Sequence, residues 1–289
     1  MKISYKAKLS EYTYFKIGGE ADVLVEPKDI KELVEVVKFL RKNNYIYYIL
    51  GNGTNILASD KGVRGCVIYI GKSLSSIKVT ENKIEAEAGA LLSDIADVAL
   101  RHRLQGFEPL SGIPGSIGGA VAMNAGAYGK EMKDVVASVN AINEAGRVVK
   151  LSRDALDFSY RKSVISEQGF IVTSVVINLQ EGDKNEIKEK MDKYNELRKA
   201  KQPLEYPSAG STFKRPEGAY ASLLIQDSNL KGERVGGAMV SEKHAGFIIN
   251  TGGATASDVY KLMQKVQTDV KTYFNVMLEP EVKLWGKFK

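Results

Sequence analysis

The chain has 289 residues, 44% of them apolar and 26% charged, and its net charge is +6. Since this length exceeds what one hydrophobic core usually serves, two or three subdomains are expected. The single cysteine, Cys66, and the two histidines exclude disulfide frameworks and cysteine-rich zinc sites, so a site without a metal is predicted. No apolar run of about 18 residues and no signal-peptide pattern occur, which favours a cytoplasmic protein without a membrane partner.

The basic residues are spread among acidic ones, as in residues 183–201. Such interleaving is typical of a solvated helix face, so no nucleic-acid partner is predicted. A modest positive field instead suits small anionic ligands such as nucleotides.

The first region has the pattern of a strand, a helix and a second strand. Residues Ala21–Glu26 favour a strand, and five apolar residues then recur on one helical face: Ile30, Leu33, Val34, Val37 and Leu40. Tyr45–Leu50 follows as an almost wholly apolar strand, which predicts a βαβ unit with buried parallel strands. Because Gly51–Asn55 comes directly after this strand, it lies where open α/β sheets bind ligands.

The second region alternates with period two and predicts antiparallel hairpins. One hairpin turns at residues 81–83 and another at residues 143–146, and a long strand follows at Phe170–Leu179. Leu91–His102 is predicted to be an amphipathic helix with four inward residues, Leu92, Ile95, Ala96 and Ala99. The region is α+β, and it ends in the charged helix Asp183–Ala200.

The third region begins at Lys201, where prolines and small residues interrupt every periodic pattern up to residue 216. A short helix is predicted at residues 219–227 and a longer one at Ser257–Tyr273. The last strand is expected at Val282–Leu284.

Residues Ser111–Gly129 contain six glycines, more than regular helices or strands tolerate. Such a cluster indicates positive φ angles or a very close approach to the backbone. Four positions have almost no side chain, and their unobstructed backbone N–H groups can form a nest or a helix N-terminus for a diphosphate: Gly118, Gly119, Ala120 and Ala122. A tight helix-packing joint is the alternative interpretation.

Six segments of the chain carry a family pattern. They are TYFKIGG at Thr13–Gly19, LGNGTN at Leu50–Asn55, the whole of Ser111–Gly129, SYRKS at Ser159–Ser163, AGSTFKRP at Ala209–Pro216 and EPEV at Glu279–Val282. In this order they resemble the UDP-N-acetylenolpyruvoylglucosamine reductase family, also called UDP-N-acetylmuramate dehydrogenase. The resemblance covers essentially the whole chain, and six motifs in the family's order are far more specific than any one of them.

The resemblance implies an α+β fold with two FAD-binding subdomains of the vanillyl-alcohol-oxidase (PCMH) type and a smaller α/β substrate-binding domain. The first subdomain would span residues 1–70, joined by residues 280–289; the second would span residues 71–200, and the substrate-binding domain residues 201–279. Between Arg161 and Phe170 there is no room for the tyrosine-bearing loop of the family's longer type, so the chain looks like the shorter type. A monomer is expected.

The resemblance also implies NADPH-dependent, FAD-mediated reduction of UDP-N-acetylglucosamine enolpyruvate to UDP-N-acetylmuramate, a step of peptidoglycan precursor synthesis. A hydride from flavin N5 would add to C3 of the enolpyruvyl group, and a proton would be delivered to C2. The matching segments assign FAD binding to Gly51, Asn52, Gly53, Thr54, Asn55, Ser111, Gly112, Ile113, Pro114, Gly115, Ser116, Gly118, Gly119, Ala120, Asn124 and Gly126.

Three catalytic residues follow from the same resemblance. The family's general acid maps onto Ser211, its arginine onto Arg161 and its glutamate onto Glu281. Arg161 would offer a fork of donors to the negative charge that spreads into the substrate carboxylate. Ser211 would deliver the proton to C2, relayed from water or a neighbour such as Lys214. Glu281 is either protonated or paired with Arg161, and the sequence leaves both open.

Two further residues are expected to bind substrate. Lys201 matches a lysine that contacts the substrate diphosphate, and Arg215 stands where the longer type has an asparagine, so diphosphate recognition is expected to be rebuilt around it. His244 fits an acid/base role or a structural one. Two other function classes compete: an oxidase with a flavin tethered to a histidine, and a basic RNA-binding protein without a cofactor. Neither histidine lies in the glycine-rich segments, which disfavours the oxidase.

Overall fold

The computed structural model describes residues 1–288 of the chain. Within them, the α-helices are α1 Ile30–Lys42, α2 Leu92–Arg101, α3 Ile117–Ala122, α4 Val164–Glu167, α5 Lys184–Lys201, α6 Ala221–Asp227 and α7 Ala256–Phe274. The strands are β1 Lys2–Lys8, β2 Glu20–Glu26, β3 Tyr47–Leu50, β4 Ile56–Ala58, β5 Val63–Tyr69, β6 Ile77–Thr80, β7 Lys83–Glu87, β8 Leu104–Gln105, β9 Gly126–Ala127, β10 Lys130–Glu131, β11 Val136–Ile142, β12 Val148–Ser152, β13 Ile171–Asn178, β14 Gln180–Glu181, β15 Ser208–Ser211, β16 Arg234–Val235, β17 Ala238–Val240, β18 Phe247–Asn250 and β19 Lys283–Trp285.

Local sequence signals set the ends of the long helices. Asp29 precedes α1, and its carboxylate accepts a hydrogen bond of 2.8 Å from the N–H of Glu32. Thr255 and Asp258 form a reciprocal capping box at the start of α7, which ends at Asn275 with a left-handed φ of 57°. Helix α7 therefore extends one residue beyond each end of its predicted range.

Contacts between residues divide the chain into two compact units. Unit 1 comprises Met1–Ser4, Leu24–Asn52 and Cys66–Arg198, and unit 2 comprises Tyr5–Val23, Gly53–Gly65 and the chain from Lys199 on. Each unit is therefore assembled from segments that are distant in sequence. The predicted boundaries of the three subdomains stay a prediction.

Unit 1 contains a five-stranded antiparallel sheet in the order β12-β11-β13-β7-β6. Both predicted hairpins are present, since β6 pairs with β7 and β11 pairs with β12. Helix α2 buries the four residues predicted to face inward, Leu92, Ile95, Ala96 and Ala99. Because burial of one large aliphatic side chain contributes about 1.5–3 kcal/mol, this face fixes the helix in unit 1.

The predicted strand, helix and strand of the first region are present as β2, α1 and β3, but the predicted burial is wrong for β3. Strand β3 pairs in parallel with β5, with Tyr47 opposite Cys66, and β5 separates β3 from β2. As an edge strand, β3 leaves Tyr47, Tyr48 and Ile49 partly exposed instead of buried on both faces. An apolar run indicates a strand but does not reveal its place in the sheet, because the neighbours come from distant sequence.

Unit 2 contains the sheet β15-β18-β17-β16 together with α6 and α7. Its core draws on buried residues from every segment of the unit, including Phe15, Leu57, Ile225, Ile248, Leu262 and Val266. Strand β19 pairs in parallel with β4, with Leu284 opposite Leu57. Strand β15 lies in the stretch where no strand was predicted, because serine, alanine and glycine have little intrinsic preference for strands.

Over residues 1–288, no helix is both long enough and apolar enough to pass through a bilayer. The same residues contain no group of three or more His, Cys, Asp or Glu side chains placed to hold a metal ion. The longest helix, α7, buries one apolar face and exposes charged residues on the other.

Candidate active site

A cavity of about 200 Å³ lies in unit 1 where the glycine-rich segment meets the end of β3 and the segment Ile165–Val172. Its small-residue wall is formed by Gly51, Ala88, Ser116, Gly118, Gly119 and Ala122, and its apolar wall includes Ile49, Ile70, Ile165 and Phe170. Ser116 is only 3% exposed, and among residues 1–288 its hydroxyl has no hydrogen-bond partner. Because Ser116 lines the cavity, its hydroxyl can bond to a ligand there.

Two adjacent glycines of this wall serve different purposes. A Cβ at Gly118 would lie 2.9 Å from the Ala88 Cβ and 3.0 Å from the Ala88 carbonyl oxygen, so Gly118 is needed for packing. A Cβ at Gly119 would meet only the Ser116 hydroxyl, at 3.7 Å, so a side chain there would occupy cavity space. The packing interpretation of the glycine cluster therefore applies to Gly118, and the interpretation as space for a ligand applies to Gly119.

The predicted nest of free backbone N–H groups is wrong at two positions. The N–H of Gly118 donates to the carbonyl of Ala88 at 2.9 Å, and that of Ala120 donates to the carbonyl of Ser116 at 2.9 Å. The Gly118 bond docks α3 onto the loop after β7, and the Ala120 bond is the first i→i−4 bond of α3 itself. These two N–H groups are not available to a diphosphate.

The first part of the predicted segment Gly51–Asn55 lies beside the glycine-rich segment. A Cβ at Gly51 would be 2.3 Å from the Ser116 hydroxyl, so no side chain fits there. The Asn52 side-chain amide donates a hydrogen bond to the carbonyl of Pro114. The structure thus brings these four predicted cofactor residues together in unit 1.

The second part of that segment belongs to unit 2. Gly53 has a left-handed φ of 65°, and a Cβ there would lie 2.2 Å from the Tyr12 carbonyl oxygen. Thr54 is half-buried, and the Asn55 side-chain amide donates to the carbonyl of Glu281 at 3.2 Å. In unit 2, Asn55 therefore supports the backbone of a predicted catalytic residue.

Several other predicted cofactor residues have structural contacts in unit 1. The Ser111 hydroxyl donates to the carbonyl of Glu108 at 2.7 Å. A Cβ at Gly112 would lie 2.9 Å from the Asn195 side-chain oxygen, and one at Gly126 would lie 2.7 Å from the carbonyl oxygen of Lys130 on β10. Ile113 and Gly115 act through the backbone: the Ile113 N–H donates to Leu110, and the Gly115 carbonyl accepts from Leu92, both at 3.1 Å. Their binding of a cofactor stays a prediction.

Arg161 lies in a tight turn of unit 1. The N–H of Ser159 donates to the carbonyl of Lys162 at 3.1 Å, and the N–H of Lys162 donates back to Ser159 at 3.2 Å. The Arg161 guanidinium carbon lies 5.0 Å from the centre of the Tyr160 ring, a cation–π distance. Burial is partial at Arg161, so its charged end can reach a ligand.

The segments that carry Ser211 and Glu281 pair through their backbones in unit 2. The Glu281 N–H donates to the carbonyl of Thr212 at 2.8 Å, and the Lys214 N–H donates to the carbonyl of Glu279 at 2.8 Å. Before this pairing, Gly210 has a left-handed φ of 73°, which shifts the register of β15 against β18. Nothing in the sequence pattern shows that residues 211–214 and 279–281 are neighbours.

The two side chains differ in burial. Glu281 is 8% exposed, whereas Ser211 is half-buried and its hydroxyl has no hydrogen-bond partner among residues 1–288. Lys214, the suggested neighbour of Ser211, has its ammonium paired with the Glu279 carboxylate. The hydroxyl of Ser211 is therefore the polar group that is open to a ligand on this strand pair.

Lys201 and Arg215, predicted to bind the substrate diphosphate, are both exposed in unit 2. The Arg215 guanidinium carbon lies 4.2 Å from the centre of the Tyr220 ring. Stacking on an aromatic face orients the planar guanidinium. The sequence does not indicate Tyr220 as a partner of Arg215, because an isolated aromatic five residues from an arginine gives no periodic signal.

His244 has a structural environment. Its Nδ1 accepts a hydrogen bond of 3.1 Å from the Gly246 N–H, and its ring packs edge-on against Phe247 at 5.0 Å. Burial lowers the pKa of His244, and the positive charge of Lys231 lowers it further. The only cysteine is likewise unreactive, because burial raises the pKa of Cys66 to about 11.

Known proteins match the chain over almost its full length. Residues 21–152 match the family described as FAD binding domain, and residues 202–285 match UDP-N-acetylenolpyruvoylglucosamine reductase, C-terminal domain. The UDP-N-acetylenolpyruvoylglucosamine reductase of Caldanaerobacter subterraneus subsp. tengcongensis is 52% identical over 286 residues, covering 99% of this chain and 94% of the relative. The enzyme of that name from Clostridium perfringens strain SM101 is 49% identical, covering 99% and 93%.

A solved structure matches as well. The crystal structure of UDP-N-acetylenolpyruvylglucosamine reductase from Thermus caldophilus has a TM-score of 0.86 and 36% sequence identity. It covers 99% of this chain and 100% of that one. The similarity therefore includes every segment that contributes to the cavity of unit 1 and to the strand pair of unit 2.

Proposed function

Because the chain belongs to the UDP-N-acetylenolpyruvoylglucosamine reductase family of FAD-dependent oxidoreductases, we propose that it reduces UDP-N-acetylglucosamine enolpyruvate to UDP-N-acetylmuramate with NADPH. This reaction would serve peptidoglycan precursor synthesis. The observation that supports the proposal best is the strand pair of unit 2: backbone hydrogen bonds join residues 212–214 to residues 279–281, next to Ser211, whose hydroxyl has no hydrogen-bond partner among residues 1–288, and Glu281 is buried. A proton donor and a carboxyl group are what reduction of an enolpyruvyl double bond requires next to the hydride source.

The residues around the cavity of unit 1 fit a bound FAD. Gly119 leaves space that no protein atom fills, the Ser116 hydroxyl lines the cavity and has no hydrogen-bond partner among residues 1–288, and Ile49, Ile70 and Ile165 offer an apolar surface. When bound, FAD would take two electrons from NADPH and deliver them as a hydride from N5 to C3 of the enolpyruvyl group. The cavity walls would then exclude water from that position.

Ser211 would supply the proton at C2. An alcohol is a weak acid, so the hydroxyl would pass on a proton that it receives from solvent while giving its own to carbon. Water is favoured over Lys214 as the source, because the Lys214 ammonium is engaged in an ion pair with the Glu279 carboxylate. Half-burial of Ser211 keeps it within reach of such a water.

Arg161 would stabilise the negative charge that develops on the substrate carboxylate. Its planar guanidinium can donate two parallel hydrogen bonds to one carboxylate, which a lysine cannot do. Removing one such donor from a water-excluded site typically costs about 3–4 kcal/mol of transition-state stabilisation. Lys201 and Arg215 would bind the diphosphate of the substrate.

The two alternatives for Glu281 make opposite predictions. Glutamine has the shape of a neutral carboxylic acid, so Glu281→Gln should retain much of the activity if Glu281 works in its protonated form. If instead Glu281 works as an anion that orients a cation, Glu281→Gln should lose activity strongly, because the amide removes the negative charge. Steady-state turnover of the variant and of wild-type protein separates the two.

The proposed function is tested by an absorbance spectrum followed by an activity assay. Purified protein, supplemented with FAD, should show the bands of oxidised flavin, and anaerobic NADPH should bleach them. Adding UDP-N-acetylglucosamine enolpyruvate should restore the bands and produce UDP-N-acetylmuramate, detected by mass spectrometry. Protein that binds no flavin, or flavin that this substrate does not reoxidise, would contradict the proposal.

A further inference from the structure

The turn Ser159–Ser163, which carries Arg161, depends on support from outside itself. Arg161 has a left-handed φ of 56°, a conformation that costs a residue with a side chain about 1 kcal/mol or more. The two backbone hydrogen bonds between Ser159 and Lys162 close the turn but do not fix its position in unit 1. A strained turn keeps one position only where surrounding contacts impose it.

Ser163 anchors the end of the turn. Its hydroxyl donates a hydrogen bond of 2.8 Å to the carbonyl of Ala122, and Ser163 is 0% exposed. Ala122 lines the cavity, and α4, which begins directly after Ser163, continues into the cavity wall at Ile165. The hydroxyl therefore joins the turn to the glycine-rich segment at the edge of the cavity.

Asn124 anchors the start of the turn. Its side-chain NH₂ donates to the carbonyl of Ser159 at 3.0 Å and to the Glu131 carboxylate at 3.0 Å. Its side-chain oxygen accepts from the Lys133 N–H at 3.0 Å. Asn124 is 0% exposed, so its amide is fully engaged inside the protein rather than directed to a ligand.

We infer that Ser163 and Asn124 are positioning residues, which hold the turn of Arg161 in one place against the glycine-rich segment. The inference rests on the proposed role of Arg161 in turnover. Neither side chain is bonded to the guanidinium, and each acts on backbone on one side of Arg161. Misplacement of a catalytic group by about 1 Å can cost 10²-fold in rate, so two buried hydrogen bonds at this turn matter for catalysis as well as for stability.

The test is a double-mutant cycle of Ser163→Ala with Arg161→Lys. If Ser163 acts through Arg161, Ser163→Ala lowers kcat about 10- to 100-fold in the wild-type background and causes little further loss in Arg161→Lys. If the kcat losses of Ser163→Ala and Arg161→Lys instead multiplied in the double variant, the two residues would act independently and the inference would be overturned. The matched control is Glu167→Gln, which removes the exposed ion pair with Lys162 beside the same turn and should leave kcat unchanged.

A second measurement does not depend on turnover. Hydrogen exchange of the FAD-free protein should show faster exchange in the peptide covering residues 157–168 of Ser163→Ala than of wild-type protein, with the five-stranded sheet unchanged. Equal exchange in this peptide would overturn the inference even if kcat fell. If Arg161→Lys alone left kcat unchanged, the proposed role of Arg161 would fail, whereas the exchange result would still decide whether Ser163 holds the turn.

Asn124→Gly provides the second variant. Asn124 has a left-handed φ of 44°, which glycine adopts without strain, so this change deletes the side chain without distorting the backbone. If the inference holds, Asn124→Gly behaves like Ser163→Ala: kcat falls while FAD binding persists. In the Arg161→Lys background, Asn124→Gly then causes little further loss of kcat. The opposite result would be that Asn124→Gly loses FAD binding while the fraction of protein that still holds FAD keeps a normal kcat. That result would assign Asn124 to cofactor binding and overturn its role as a positioning residue.

Discussion

The cavity wall of unit 1 and the strand pair of unit 2 are built on opposite principles. At the cavity, function depends on missing side chains: Gly119 leaves space, and Gly118 lets two backbones approach. At the strand pair, the proposed function depends on two side chains, Ser211 and Glu281, which are carried by segments that pair through their backbones. Added volume should therefore damage the first region, whereas loss of one polar group should damage the second.

The largest effect is expected from Gly119→Val. A Cβ at this position meets only the Ser116 hydroxyl, at 3.7 Å, so the isopropyl group should extend into the cavity and exclude FAD. We expect colourless protein with a far-UV circular dichroism spectrum close to that of wild type and no measurable turnover. Absorbance of the purified protein after incubation with excess FAD is the measurement.

Gly118→Ala is the matched comparison. Its Cβ would be 2.9 Å from the Ala88 Cβ, so the packing of α3 must shift, at a cost of about 1–3 kcal/mol. The melting temperature of FAD-free protein should therefore fall in Gly118→Ala but hardly in Gly119→Val. Normal flavin content in Gly119→Val would mean that this glycine does not face the cofactor.

Ser211→Ala tests the strand pair by removing one oxygen atom. Reduction of bound flavin by NADPH needs no proton at C2, so it should proceed at close to the wild-type rate in stopped-flow measurements. Reoxidation by the enolpyruvyl substrate should slow by about 10²- to 10⁴-fold, the range for loss of a positioned general acid.

The control for this experiment is Ser228→Ala. Ser228 lies in the same unit, and its hydroxyl donates to the carbonyl of Leu224 at 2.8 Å, away from the strand pair. Its loss should leave both half-reactions unchanged. If Ser211→Ala slowed both halves equally, the serine would support the site rather than donate a proton.

The sequence predicted the first region better than the second, for a physical reason. Six glycines within Ser111–Gly129 are visible in composition alone, and the period-two pattern predicted the hairpins of unit 1, which the structure contains. The family, the FAD-binding fold with its C-terminal domain and the flavoenzyme class came from six short motifs and are confirmed by the matches. Residues whose function depends on a small side chain can be recognised from the local amino-acid composition.

Long-range pairing leaves no such signal. Ser211 and Glu281 are 70 positions apart, and only the strand register joins them. Likewise, the burial of Asn124 and its bond to Ser159 turned a predicted cofactor residue into a candidate support of Arg161. Strand β15 was not predicted either. Its short sequence of small residues has little intrinsic preference for a strand, and pairing with β18 stabilises it.

Arg161→Lys should have a smaller effect than Ser211→Ala. Lysine keeps the charge but loses the fork of donors, so turnover should fall about 10- to 100-fold while the KM for the enolpyruvyl substrate changes little. Steady-state kinetics with saturating NADPH give both parameters. A raised KM with unchanged turnover would assign Arg161 to binding of the ground state instead.

The smallest effect concerns the pH dependence of unit 2. Burial lowers the pKa of His244 below its usual value of 6.5, so the unfolded chain binds a proton before the native protein does. Stability is therefore highest above about pH 6.5 and decreases as the pH falls below it, by at most about 1.4 kcal/mol per pH unit for one proton. Protonation would also remove the acceptor for the Gly246 N–H.

This effect should appear in unit 2, and the chain offers a probe there. Trp285, the only tryptophan, lies on β19, so its fluorescence during urea unfolding reports on unit 2, whereas bound flavin reports on the cavity of unit 1. Between pH 7 and pH 5 the tryptophan midpoint should fall less steeply in His244→Gln than in wild-type protein, because glutamine does not titrate. If the tryptophan midpoint fell equally with pH in His244→Gln and in wild-type protein, groups other than His244 would govern the acid sensitivity of unit 2. If the midpoint of the flavin signal changed as much as the tryptophan midpoint, the effect of His244 would not be confined to unit 2.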